Sequence, residues 1–267
     1  MKKILITGAT DGIGFETAKL LAKLGHKLII HGRNPVKLQS TLESLTVINP
    51  KTKVESFAAD LSNLVEVKKF ISDIKDKHQK IDVIINNAGV LKTQNPILDN
   101  GFDVRFIVNT ISPYLITKEL APLLAEDGRV VNLSSAAQAP VNIKALLGTE
   151  QVEEDFQAYA QSKLALTIWS QELKNDFKES QVIVAVNPGS LLASKMVKDG
   201  FGVAGSDLSI GADILVRAAL SDEFSDKSGK YYDNDSKQFA RPHNEAEDAT
   251  KCSEVLKAIE RVIEQLS

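Results

Sequence analysis

The stretch TGATDGIG, residues 7–14, follows directly on the apolar run Ile4, Leu5 and Ile6 and carries three glycines in eight residues. A short β-branched run, then glycines, then apolar residues at helical spacing describes a strand, a tight turn and a helix. In an open parallel sheet, ligands bind beyond the carboxyl ends of the strands, where this turn lies. Free amides at the helix N-terminus, with the helix dipole behind them, suit a phosphate. A side chain at Gly8, Gly12 or Gly14 would obstruct the turn, a pyrophosphate or helix–strand packing. The stretch therefore predicts a dinucleotide site, although its spacing is G-x-x-x-G-x-G and not the commoner G-x-G-x-x-G.

Outward from this turn the pattern repeats. Apolar, β-branched runs at 3–7, 27–31, 54–58, 83–86, 129–134, 182–187 and near 230–233 predict seven strands. Helical spacing fills 13–24, 35–45, 64–77, 102–125 and 156–178, and the tail 246–266 reads as one more amphipathic helix. Strands alternating with helices predict an α/β, doubly wound parallel sheet with helices on both faces. Near-continuous apolar strands such as Val83, Ile84 and Ile85 agree, because both faces of such a strand are buried. No linker or repeat interrupts the 267 residues, so one domain, 1–267, is expected. Residues 190–209, sprinkled with glycine, are expected to form a mobile substrate lid.

Composition excludes several classes. The chain is 43% hydrophobic and 25% charged, ordinary globular values. Its net charge of −3 gives no electrostatic reason to expect nucleic acid or an anionic membrane as partner. No apolar run is long enough to span a bilayer. The single cysteine, Cys252, has no disulfide partner and fits a reducing, cytoplasmic setting. His26, His31, His78 and His243 lack metal-ligand spacing, so no metal is expected.

Tyr159 and Lys163 are four apart and share one helix face. A tyrosine near its ordinary pKa of about 10 is a poor acid/base at neutral pH, and a neighbouring ammonium favours the phenolate. Read with the stretches NNAG (86–89), FIVNTISPY (106–114), VVNLSS (130–135), YAQSK (159–163) and NPG (187–189), in that order, the chain resembles the short-chain dehydrogenase/reductase superfamily. The resemblance runs from the first strand to the last. It implies a Rossmann fold and an oxidoreductase interconverting a carbonyl and an alcohol. Reduction of activated C=C or C=N bonds, or nucleotide sensing without turnover, are the alternatives.

The resemblance also assigns roles. Tyr159 is the general acid/base, tuned by Lys163, which also holds the nicotinamide ribose; Ser135 binds the substrate oxygen; Asn109 shapes its helix and positions a water. Thr7, Gly8, Thr10, Asp11, Gly12, Ile13 and Gly14 hold the pyrophosphate. Asp60 and Leu61 flank the adenine, Asn86, Asn87, Ala88 and Gly89 line the cofactor, and Pro188 and Gly189 abut the nicotinamide. At the end of the second strand Gly32 stands where an acid would accept bonds from an adenosine 2′-hydroxyl, and Arg33 and Asn34 follow. A guanidinium there suits a phosphate, so NADP is expected over NAD, although Asp11 stands where many NADP-using relatives carry a basic residue. Leu164, Leu166, Ile168 and Trp169 spread around one helix and suggest a possible homodimer. Ser135 and Tyr159 stand further apart than usual, which resembles the retinol-dehydrogenase-like and protochlorophyllide-reductase-like branches. The interval 136–158 is expected to project as a loop at the rim. With Leu191, Leu192, Met196, Val197 and Phe201 it points to a bulky, apolar small-molecule substrate.

Overall fold

Strands and helices alternate along the computed structural model, which describes residues 1–193 and 205–266. The first half runs β1 (Lys3–Ile6), α1 (Gly12–Lys23), β2 (Lys27–Gly32), α2 (Pro35–Ile48), β3 (Val54–Ala58), α3 (Leu64–Lys77) and β4 (Ile81–Asn86). There follow α4 (Val104–Phe106), a π-helical turn (Ile107–Ile111), α5 (Ser112–Leu120), β5 (Leu124–Leu133), α6 (Ile143–Leu146) and α7 (Asp155–Glu172). The chain ends with β6 (Val182–Asn187), α8 (Leu208–Leu220), β7 (Tyr231–Asp233), β8 (Gln238–Ala240) and α9 (Ala249–Gln265).

The strands form one sheet in the order β3-β2-β1-β4-β5-β6-β7-β8, parallel except for the β7–β8 pair. Alternation along each strand feeds two cores. Leu5 and Ile84 face the layer of α3, α5, α7 and α9, whereas Ile4, Ile6, Val83 and Ile85 face that of α1 and α8. Because β1 pairs with both β2 and β4, the strand order reverses there and opens a crevice at their carboxyl ends. Side-chain caps fix where helices start. Asp11 accepts from the Gly12 amide, Asn34 from Lys37 ahead of a Pro35 first turn, and Asp248 from Thr250 and Lys251. Arg105, 1% exposed, joins Asp103 at 2.6 Å and Asp155 at 2.6 Å, tying the start of α4 to the start of α7.

Four expectations change. The sheet has eight strands, not seven, since three residues at Gln238–Ala240 add an antiparallel edge. The segment 102–125 is not one helix: a π turn interrupts it, and its last residues already belong to β5. The interval 136–158 does not stand free at the rim. Val141, Ala145 and Leu146 join the same core as α9, and the Val141 amide donates to Glu245 Oε2 at 2.9 Å. Leu164, Leu166, Ile168 and Trp169 are covered by the chain itself, in a core shared with α9. The apolar surplus on α7 is used internally and no longer argues for a homodimer. Among the described residues no helix is long and apolar enough to cross a membrane.

Candidate active site

The glycine turn sits at the mouth of the crevice, and its geometry answers why glycine is required there. Gly8 and Gly12 adopt φ of +66° and +53°, left-handed values that favour glycine. Gly14 is held differently. A Cβ on it would lie 2.3 Å from Asn87 Nδ2 and 2.3 Å from the Gly8 carbonyl, so what approaches this backbone is the chain itself. Asn87 Nδ2 donates to the Thr7 and Gly8 carbonyls, each at 2.9 Å. Thr7 Oγ1 in turn accepts from the amides of Asn87 and Ala88 at 3.0 and 3.1 Å. His31 supports the turn from below: its Nδ1 accepts the Gly8 amide at 3.2 Å.

The first turn of α1 has four amides without intrahelical partners. Phe15 makes the first i→i−4 bond, to the Asp11 carbonyl at 3.2 Å, and Gly12 donates to Asp11 Oδ1 at 2.8 Å. The amides of Ile13 and Gly14 have no hydrogen-bond partner among the described residues. Arg33 is exposed at the end of β2 and makes no ion pair among the described residues. These amides and this guanidinium fit a phosphorylated dinucleotide. The other expected cofactor residues divide. Asn34 caps α2. Asp60 Oδ1 takes the Ser62 amide and hydroxyl at 2.9 and 2.8 Å, and Leu61 is buried in the core. Asn86 is turned away from the crevice, its Nδ2 donating to Thr117 Oγ1 at 2.8 Å and Asn132 Oδ1 at 2.7 Å in a buried network. Gly89 is only partly buried, and Gly189 follows Pro188 with φ +120°. Asn234, missed from sequence, donates to the Pro188 carbonyl at 2.9 Å and fixes that turn.

The catalytic candidates meet beside the end of β5. Ser135 lies just past that strand, and Tyr159 and Lys163 project from α7. Ser135 is near enough to Tyr159 to act on its phenol. Lys163 is 3% exposed; its Nζ donates to the Leu133 carbonyl at 2.6 Å and lies 5.7 Å from the centre of the Tyr159 ring. Burial pushes the Lys163 amine down to about 7. Tyr159 shifts opposite to the sequence expectation: burial raises its phenol above the ordinary value, and the neighbouring Ser135 offsets this in part. Asn109 occupies the π turn, fully buried. Its Oδ1 accepts the Val90 amide at 2.8 Å, and its Nδ2 donates to the Val90 carbonyl and Ser162 Oγ, both at 2.9 Å. It ties the loop after β4 to α7, one residue from Lys163, and touches neither Tyr159 nor Lys163.

Of the expected lid, Ser190 is fastened to Asp235, which takes its amide at 2.8 Å and its hydroxyl at 2.5 Å. Leu191 is exposed and Leu192 buried; Met196, Val197, Gly200, Phe201 and Gly202 lie outside the described residues. Among the described residues no cluster of His, Cys, Asp and Glu could hold a metal.

Comparison with known proteins agrees with this geometry. Residues 2–201 match the family model described as short chain dehydrogenase. Human retinol dehydrogenase 13 is 28% identical over 271 residues, covering 94% of this chain and 81% of that protein. A solved structure from Mycobacterium paratuberculosis superposes with a TM-score of 0.81 at 25% identity, covering 99% of this chain and 94% of the other. A short chain dehydrogenase from Shigella flexneri, solved in complex with NADP, gives 0.68 at 25% identity over 87% of this chain and 96% of its own. Fold, crevice and family model converge on a nicotinamide-dependent oxidoreductase acting on alcohol or carbonyl groups: the chain belongs to the short-chain dehydrogenase family.

Proposed function

We propose that this chain uses NADP(H) to interconvert a carbonyl and an alcohol on a bulky, largely apolar small molecule, with Tyr159 as general acid/base. The observation that carries this reading is the buried amine of Lys163, tied to the Leu133 carbonyl at the end of β5 and 5.7 Å from the centre of the Tyr159 ring, with Ser135 just past the same strand. Ser135 Oγ already accepts the Ala137 amide at 3.1 Å, so its own proton is available to an oxygen in front of it. A substrate oxygen set between the two hydroxyls receives a bond from each. Tyr159, held above its ordinary pKa, remains a phenol at neutral pH, the form that donates a proton to a carbonyl oxygen. Lys163, poised near 7, can take up or release a proton at working pH. The nicotinamide, when bound, supplies or accepts the hydride. The Ile13 and Gly14 amides would hold its pyrophosphate.

Preference for NADP rests on the exposed guanidinium of Arg33, which makes no ion pair among the described residues, and a solved relative carries that cofactor. An apolar substrate is supported by the relatives named for retinol and by Leu191, 47% exposed directly after the Gly189 turn.

The test is NADPH oxidation across a graded series of aldehydes and ketones. Efficiency should rise with apolar size, by up to about 0.8 kcal/mol per buried methylene. Tyr159→Phe should lower turnover roughly 10²–10⁴-fold, the range for a lost general acid/base, with NADPH affinity little changed. Near wild-type turnover in that variant refutes the assignment, and a preference for small polar substrates refutes the apolar one.

A further inference from the structure

Ser135 lies beyond the sheet and needs something other than strand pairing to orient it. The last sheet bond of β5 is made by the Ser134 amide, which donates to the Val186 carbonyl at 2.8 Å. One residue later the Ser135 carbonyl is gripped by two side chains from separate parts of the chain. Gln138 Nε2 donates to it at 3.0 Å, and the hydroxyl of Tyr231, on β7, donates at 3.1 Å. The other end of Gln138 is also engaged, because its Oε1 accepts the His243 amide at 2.9 Å. With the carbonyl held on two sides and Oγ accepting the Ala137 amide, the peptide on which Ser135 sits has little freedom to rotate. Tyr231 is 5% exposed, and burial beside Asp233 and Asp235 keeps its phenol protonated, a permanent donor.

We propose that Tyr231 and Gln138 are positioning residues that aim the Ser135 hydroxyl at the substrate oxygen. Through Gln138, the segment leading into α9 is coupled to the reacting groups. This inference rests on Ser135 binding the substrate oxygen, as argued above. Each acts through the Ser135 peptide, to whose carbonyl both are hydrogen-bonded. A merely structural role for Tyr231 would lower stability or cofactor affinity without regard to what stands at 135. A positioning role acts only while the Ser135 hydroxyl is there to be aimed.

A double-mutant cycle separates the two, using the carbonyl compound turned over fastest in the graded series. Tyr231→Phe removes only the hydroxyl. It should lower kcat about tenfold, equivalent to about 1.4 kcal/mol on the barrier, with KM and NADPH affinity within about twofold. Gln138→Ala, in a surface turn outside the core, should act in the same sense and provides a second variant should Tyr231→Phe fold poorly. In the Ser135→Ala background neither substitution should lower kcat further. Full loss of Tyr231→Phe activity on top of Ser135→Ala, or no loss in the wild-type background, overturns the proposal. Undiminished activity of Ser135→Ala alone, or no turnover of any member of the series, overturns the functional reading and this inference with it.

Discussion

His31 is a buried histidine whose protonation this fold opposes. Its ring, 2% exposed, lies 5.0 Å from the centre of Phe70 and accepts the Gly8 amide on Nδ1. Nε2 stands 3.0 Å from the Ala59 carbonyl, so the neutral ring that satisfies both neighbours carries its proton there. A second proton on Nδ1 would face the Gly8 N–H and break the support of the glycine turn. Burial accordingly lowers the folded-state pKa from 6.5 to about 4. The unfolded chain keeps the ordinary value, so between these pH values it binds a proton that the folded chain refuses. The stabilising effect of neutral His31 is complete above pH 6.5 and is lost progressively as pH falls towards 4. At about 1.36 kcal/mol per pKa unit, the loss approaches 3 kcal/mol at the acid end. Urea unfolding at intervals from pH 4.5 to 7.5 measures it, with His31→Asn as reference, since an amide oxygen can still accept from Gly8 and does not titrate. His26 and His78 are also lowered by burial, so both proteins keep a slope of the same sign. The wild type should be steeper, and parallel slopes would refute the role given to His31.

Two further outcomes test the cofactor end. Gly14→Ala places a methyl 2.3 Å from Asn87 and the Gly8 carbonyl, an overpacking that should destabilise by about 1–3 kcal/mol and weaken NADPH binding; thermal unfolding and fluorescence titration check both. Arg33→Ala should weaken NADPH by about 1.5–3 kcal/mol and leave NADH unchanged, and a wild-type protein that prefers NADH would contradict the NADP assignment outright.

How far the chain can be read without its structure depends on whether a signal is local. Strands β1, β4 and β6 are near-continuous apolar runs and were legible because each is buried on both faces. Strand β8 is three residues long, with Gln238 exposed, too short for any period to emerge. Helix α8 escaped because Gly211 interrupts its pattern; a Cβ there would sit 2.6 Å from Leu192 and 3.3 Å from Ile13, so the glycine permits close packing against α1. The π turn around Asn109 is likewise silent, since one extra residue in a helical turn leaves the run apolar. On α7 the periodicity was real and its explanation was not: the apolar residues away from the sheet meet α9, some eighty residues later, and no window around the helix contains that partner.

The site follows the same rule. Tyr159 and Lys163 declare themselves by spacing, but their electrostatics do not, because burial sets the direction of the shift at both. His31, Gln138, Tyr231 and Asn234 act on partners that no sequence window contains. Gly32 is the sharpest case. From sequence it marks the lack of an acid at a specificity position, which makes its identity a statement about the cofactor. In the fold a Cβ at Gly32 would lie 2.5 Å from the Thr10 methyl, and Thr10 belongs to the glycine turn itself. The glycine is therefore fixed by packing whatever nucleotide binds, and an aspartate could enter only if Thr10 gave way. The case for NADP then rests on the exposed charge of Arg33 and not on the residue before it, so Arg33→Ala is the substitution that separates cofactor preference from turn packing.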